Sequence, residues 1–230
     1  MGKICLSIAE ENIEDLKESV EQALHLKPEL IEIRFDYLPH SQIFNALNIV
    51  DYIKDKCIFT LRSASQGGKF VGKEEERVKQ LKFLSEQKPY LLDVEFETIQ
   101  NYPQLHNFFK KNDSKILISW HDFKTTPDNS FIEHLITDMS HFSNFIKIVT
   151  MAVSGMDAIR LLKLYDLFPK LSLILFAMGD IGIISRILCT VVGHAPFTYA
   201  TMNESIAPGQ INIVEMRRIY YKINEGIMRN

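Results

Sequence analysis

Asn144 to Met178 reads NFIKIVTMAVSGMDAIRLLKLYDLFPKLSLILFAM, and the alternation within it decides the fold. FIKIVT (145–150) and LSLILFAM (171–178) are short apolar runs rich in β-branched or aromatic residues, as buried strands require, while SGMDAIRLLKLYDLF between them has apolar residues at helical spacing. A strand, a helix and a second strand in that order predict a crossover that leaves the two strands parallel.

Outward from this unit the same alternation continues. Strand-like runs recur at KICLSI (3–8), LIEIRF (30–35), CIFTLR (57–62), YLLDVEF (90–96), KILISW (115–120) and FTYA (197–200), which with the first two makes eight candidate strands. Amphipathic segments such as ENIEDLKESVEQAL, EEERVKQLKFL and QINIVEMRRIYYKI lie between or after them. Strand starts fall about 24 to 34 residues apart, and no linker, low-complexity tract or composition break divides the chain. Eight βα units in 230 residues predict a (β/α)8 TIM barrel built as one domain over residues 1–230. The alternative is an open doubly wound sheet, but no strand is followed by a GxGxxG turn, and GGKFVGKE lacks the GK[ST] ending of a P-loop.

Composition narrows the partners. Hydrophobic residues make up 46% of the chain and charged residues 24%, an ordinary globular balance able to bury a large core. The formal net charge is -3 with Lys and Arg scattered, which argues against nucleic acid but leaves room for a small anion held by local arginines. Cys5, Cys57 and Cys189 stand far apart without a CxxC pair, so neither disulfides nor a structural metal is expected and a reducing cytoplasm fits. MGKICLSIAEEN is neither a secretory signal nor a membrane span, and reads instead as a first strand.

Lys147 then needs an explanation, because an ammonium inside a buried strand is costly without a partner. In a barrel, alternate strand residues face inward and chemistry gathers at the C-terminal strand ends. The second strand ends with Glu32 and Arg34, the third with Thr60 and Arg62, the fourth carries Asp93 and Glu95, and the fifth ends with Ser119 and His121. Each pair is spaced i, i+2 and so shares one face of its strand. Taken singly, Lys147 reads as a snorkelling edge residue and His121 as a hydrogen-bonded structural histidine. Asp93 and Glu95 read as a structural pair, and Glu32 with Arg34 reads as an interior ion pair as readily as a binding pair. Their conjunction at one end favours a site, since burying so many charges contributes little to stability.

The chemistry this set suits is imine formation. A lysine in an apolar strand with cationic Arg34 and Arg62 nearby is expected to fall from about 10.4 toward the 7 to 8 range where the free amine attacks a carbonyl. His121 on the neighbouring strand would move protons.

At these residues the sequence resembles the type I 3-dehydroquinate dehydratase family of the shikimate pathway over nearly its whole length. The resemblance is carried by EIRFD (32–36), FTLRSASQGG (59–68), SWHDF (119–123), IKI (146–148), MGDIGIISR (178–186) and APGQ (207–210). It implies a TIM barrel that dehydrates 3-dehydroquinate, a small anion, to 3-dehydroshikimate through a lysine imine, with no metal or organic cofactor, and it suggests a homodimer. Carried over position by position, Lys147 resembles the imine lysine and His121 the general acid/base. Glu32 and Arg34 resemble the pair that holds substrate hydroxyls, and Arg62 and Arg186 the arginines that grip the ring and its carboxylate. Gln210 resembles the lid-loop glutamine and Ser7 a first-strand serine near the substrate. Two positions depart from the family pattern. Where the family has a glutamate that orients the histidine this chain has Gln66, and a neutral amide is expected to leave His121 with a lower pKa. Where the family's lid has a serine directly before Ala-Pro-Gly-Gln this chain has Ile206, with Ser205, the candidate lid contact, one place earlier. A class I aldolase on the same barrel and a catalytically dead barrel that binds a small acid or a protein are the competing readings, the first needing a phosphate site.

Overall fold

Strands β1 (Lys3–Ile8), β2 (Leu30–Arg34), β3 (Cys57–Thr60), β4 (Leu91–Glu95), β5 (Ile116–His121), β6 (Phe145–Met151), β7 (Ser172–Met178) and β8 (Phe197–Ala200) form one parallel sheet in a computed structural model that describes residues 2–202 and 208–228. The order is β7-β6-β5-β4-β3-β2-β1-β8, so each strand neighbours those next to it in sequence and β8 returns to β1. The result is the (β/α)8 TIM barrel expected from the alternation. Its outer layer comprises α1 (Ile13–Leu26), α2 (Ile43–Val50), α3 (Glu74–Glu86), α4 (Phe96–Asn101), α5 (Gln104–Lys111), α6 (Asn129–Ser140), α7 (Gly155–Leu164), α8 (Ile183–Leu188) and α9 (Ile213–Met228).

The helices begin where local chemistry satisfies their free N–H groups. Asn12 caps α1 by accepting from Asp15 N–H, Asp128 caps α6 through Phe131 N–H, and Ser154 with Asp157 forms a capping box on α7. Leu16, Val20 and Ala23 of α1 are fully buried at the spacing that turns one stripe of a helix toward a sheet. The strands are buried along nearly their full length because both faces are covered, one by helices and one by the barrel interior.

Strand ends differ slightly from the sequence reading. β3 stops at Thr60, since Leu61 and Arg62 leave the sheet: Leu61 C=O accepts from Arg77 Nη1 at 2.9 Å, and Arg62 turns to Asp93 and Ser119. β2 stops at Arg34, after which Phe35–Tyr37 forms a 3-10 turn. Among the described residues no helix is long and apolar enough to cross a membrane. Cys5, Cys57 and Cys189 are all buried free thiols.

Candidate active site

Lys147 lies in the middle of β6, 4% exposed, and its Nζ is 2.6 Å from Asp93 Oδ2 and 3.8 Å from Glu32 Oε1. The lysine that the sequence placed beside two arginines therefore has carboxylates as its immediate partners. Tyr199 of β8 completes the ring around it, with Nζ 4.8 Å above the aromatic centroid and 3.5 Å from the hydroxyl. These four side chains come from β2, β4, β6 and β8, one layer of the alternate-strand packing that fills such barrels. The odd strands supply hydroxyls to the same level. Ser7 of β1 and Thr60 of β3 donate to Glu32 at 2.7 and 2.9 Å, and Ser119 of β5 donates to Asp93 at 2.5 Å. A fully buried set of charges persists only when its lone pairs are met in this way.

Arg62 sits just above that layer. Its Nη2 is 2.7 Å from Asp93, its Nη1 2.6 Å from Ser119 and 3.4 Å from Glu95. Burial would lower the guanidinium pKa, but Asp93 and Glu95 outweigh it and raise the pKa above the usual value. Burial would likewise raise Asp93, yet Arg62 and Lys147 hold its carboxyl well below the ordinary range. Behind Arg62, the fully buried Arg77 of α3 binds Glu95 Oε2 at 2.6 Å, Leu61 C=O, Glu74 and Thr98. Asp93 and Glu95 are thus buried and paired with cations, with Asp93 reaching into the lysine layer.

His121, at the end of β5, is two residues above the register position opposite Lys147. Burial first, and then Arg62, Lys147 and Arg34, push its pKa well below the usual value, with Asp93 opposing. Gln66 meets it as the sequence suggested: Oε1 accepts from His121 backbone N–H at 2.9 Å and faces Nδ1 at 3.3 Å. Phe123 stacks beside the imidazole with centroids 6.0 Å apart. The Phe123 ring passes so close to Gly67 that a Cβ there would lie 2.2 Å from it, and the positive φ of 75° also favours glycine.

Glu32 and Arg34 share the pocket but do not pair with each other. Arg34 forms a two-point bridge to Asp36 at 2.8 and 2.7 Å, and Asp36 also accepts from Lys69 N–H. Ser7 stands behind Glu32 and is absent from the pocket wall, whereas Glu32, Arg34, Arg62, Gln66, His121, Lys147, Arg186 and Gln210 all line it. Ser205 lies outside the described residues.

Arg186 on α8 is 2% exposed, and its guanidinium lies 4.4 Å over the Phe176 ring. Among the described residues its Nε has no hydrogen-bond partner and no carboxylate pairs with it. Burial pushes it down to about 10. Contacts to β7 and β8 hold its helix in place, with Ser185 Oγ accepting from Ala177 N–H and Thr198 Oγ1 donating to Arg186 C=O. Gly209 (φ 72°) crosses this region, where a Cβ would meet Gly179 C=O at 2.6 Å, which brings Pro208 and Gln210 over the pocket.

A lysine among inward carboxylates, a histidine beside it and a buried arginine with no carboxylate partner among the described residues stand together at the top of a TIM barrel. The family model described as type I 3-dehydroquinase matches residues 4–227. The chain belongs to that family. Among relatives, a 3-dehydroquinate dehydratase of Dehalococcoides mccartyi is 38% identical over 170 residues, covering 72% of this chain and 74% of the relative. One from Pyrococcus abyssi is 32% identical, covering 93% and 96%. The type I 3-dehydroquinate dehydratase of Clostridium difficile, crystallised with covalently modified comenic acid, superposes with a TM-score of 0.88 at 25% identity, covering 98% of this chain and 93% of that one.

Sequence reasoning misses several residues of this enzyme. It reads Asp93 as structural although that carboxylate is the closest partner of Lys147, and it does not single out Asp36, Arg77 or Tyr199. Arg77 does leave a signal: it precedes Leu81 by four residues and Leu84 by seven, which puts a cation on the buried stripe of α3. Among the described residues no group of three His, Cys, Asp or Glu side chains is arranged to hold a metal ion.

Proposed function

We propose that the enzyme dehydrates 3-dehydroquinate to 3-dehydroshikimate through an imine on Lys147, with His121 moving the protons. The observation that supports this most is Lys147 itself, a buried amine at the floor of a pocket whose wall holds His121 and an arginine with no carboxylate partner among the described residues. The amine of Lys147, released from its ion pair by loss of a proton, attacks the substrate ketone, and expulsion of one water leaves a protonated C=N bond. His121 removes a proton from the adjacent carbon, and that electron pair moves into the C=N bond to give an enamine. The enamine then expels the hydroxyl from the carbon bearing the carboxylate, His121 returns its proton to that oxygen, and water leaves. Hydrolysis of the imine by one water restores the amine, so the net change is loss of one water.

Arg186 is the arginine suited to the substrate carboxylate, because the guanidinium of Arg62 is already committed to Asp93, Ser119 and Glu95. Glu32 and Arg34, each braced from behind, would take hydroxyls, and Gln210 would cover the ring. The assay is the appearance of a conjugated ketone from 3-dehydroquinate. Lys147→Met should show no turnover and His121→Ala a loss of roughly 100-fold or more, whereas wild-type rates in Lys147→Met would refute the mechanism.

A homodimer is supported by the exposed Met156 and Ile159 on α7 and Ile184 on α8, two helices packed against each other. Sedimentation equilibrium should give twice the chain mass, falling to one chain in Met156→Lys/Ile184→Lys; a wild-type monomer would rule out the dimer.

A further inference from the structure

Behind His121 the polar contacts run on to a residue that no part of the mechanism above uses. Gln66 ends the 3-10 turn Ala64–Gln66 and is 7% exposed. Its Oε1 faces His121 N–H and Nδ1, and its Nε2 donates to Glu97 Oε1 at 3.1 Å. Glu97 stands on the first turn of α4, exposed on its outer side. An amide accepts only through oxygen and donates only through nitrogen. With the nitrogen anchored on Glu97, the oxygen is held toward His121, where it accepts from Nδ1–H and leaves Nε2 of the imidazole with the lone pair that takes the substrate proton.

We propose that Glu97 is a positioning residue for His121, acting through the Gln66 amide, so that residues 66 and 97 together supply the one carboxylate that orients the histidine. The inference rests on the acid/base role proposed for His121. The charged groups that act most strongly on His121 are Arg34 at the end of β2, Arg62 after β3, Asp93 on β4 and Lys147 on β6, three cations and a single anion. Around Glu97 stand Glu95, Arg62 and the Gln66 amide. Burial and the neighbouring Glu95 raise the Glu97 carboxyl from its ordinary value.

The pair also constrains what can replace Gln66. A glutamate there would set two carboxylates at the present 3.1 Å contact, and one of them would have to hold a proton. Exchanging the two residue types avoids the clash, because an amide at position 97 could donate to a carboxylate at position 66 while that carboxylate accepts from His121.

The test is steady-state kinetics with 3-dehydroquinate across pH on variants of residues 66, 97 and 121. Glu97→Ala should lower kcat about 10-fold with KM nearly unchanged, since the imidazole loses its orientation and no substrate contact is removed. Glu97→Gln, whose carbonyl still accepts from Gln66, should recover to within about 3-fold of wild type. Gln66→Glu/Glu97→Gln should be more active than Gln66→Glu alone and should move the acidic limb of kcat/KM to higher pH, because a carboxylate then faces the imidazolium directly. Wild-type kcat and pH profile in Glu97→Ala, or equal impairment of Glu97→Ala and Glu97→Gln, would overturn the relay. His121→Ala separates the two failures: if it is inactive while Glu97→Ala is normal, only the relay falls, and if it turns over normally, the acid/base assignment falls and takes the relay with it.

Discussion

Arg186 keeps a positive charge in a buried place where, among the described residues, its Nε meets no acceptor and the face of Phe176 lies against the guanidinium. A cation in that state costs folding free energy, and under the proposed function that cost is offset when the substrate carboxylate pairs with it. Two opposite effects of Arg186→Met follow. Catalytic efficiency should fall by roughly 2 to 5 kcal/mol, as when a buried carboxylate loses its charged partner. The thermal midpoint should rise, by on the order of 1 kcal/mol of stability, because an uncompensated charge has been replaced by an apolar chain. Kinetics and thermal melts of the same variant check both, and a variant that is less stable and fully active would contradict the assignment. His121 makes a second residue-scale case. Its folded pKa lies well below the unfolded value of about 6.5, so the unfolded chain binds more protons than the folded one between those two limits. Stability should therefore fall as pH drops below about 6.5, and His121→Gln should flatten that loss in melts taken across the window. In the wild type kcat/KM should hold its plateau below the same pH, since the histidine stays neutral there.

Between elements, charges form a chain that runs from Glu74 and Arg77 on α3 through Glu95 and Arg62 to Asp93 and Lys147. The helix thus fixes a strand carboxylate, which fixes the loop arginine, which with Lys147 shares one oxygen of Asp93. Removing the outer member should be felt along it. Arg77→Met leaves Glu95 buried beside fewer cations and should destabilise the fold by about 3 to 5 kcal/mol, read as a shift of the urea midpoint. If the midpoint does not move, the network does not contribute to holding the fold together. Apart from Glu74–Arg77, three residues apart on one helix, none of these pairings is legible along the chain. Hydrophobic period locates β6 and β7 and the helix between them, because the period depends only on which face is buried. It cannot say that Arg34 turns to Asp36 and not to Glu32, because that depends on the turn Phe35–Tyr37 folding the chain back, or that β3 ends two residues early at Thr60, because that depends on partners from β4, β5 and α3.

At the scale of the whole molecule, eight parallel strands gather polar residues from seven of them at one end, and this is why so much of the candidate site can be read from the sequence. Glu32, Arg34, Arg62, His121 and Lys147 stand out because a barrel interior is otherwise apolar, and the i, i+2 spacing gives their common face. Arg186 lies on a helix and Gln210 in the loop before α9, away from any strand pattern, so only family resemblance points to them. Asp93 is visible but reads as structural, since nothing local distinguishes a salt bridge to an arginine from one to a lysine. The central claim is that Lys147 bonds covalently to the substrate, and reductive trapping measures it most directly. Borohydride added during turnover of 3-dehydroquinate should leave a stable adduct on the peptide containing Lys147, seen by mass spectrometry and missing in Lys147→Met. An adduct on Lys115 or Lys124 instead, or full turnover with no adduct anywhere, would contradict it.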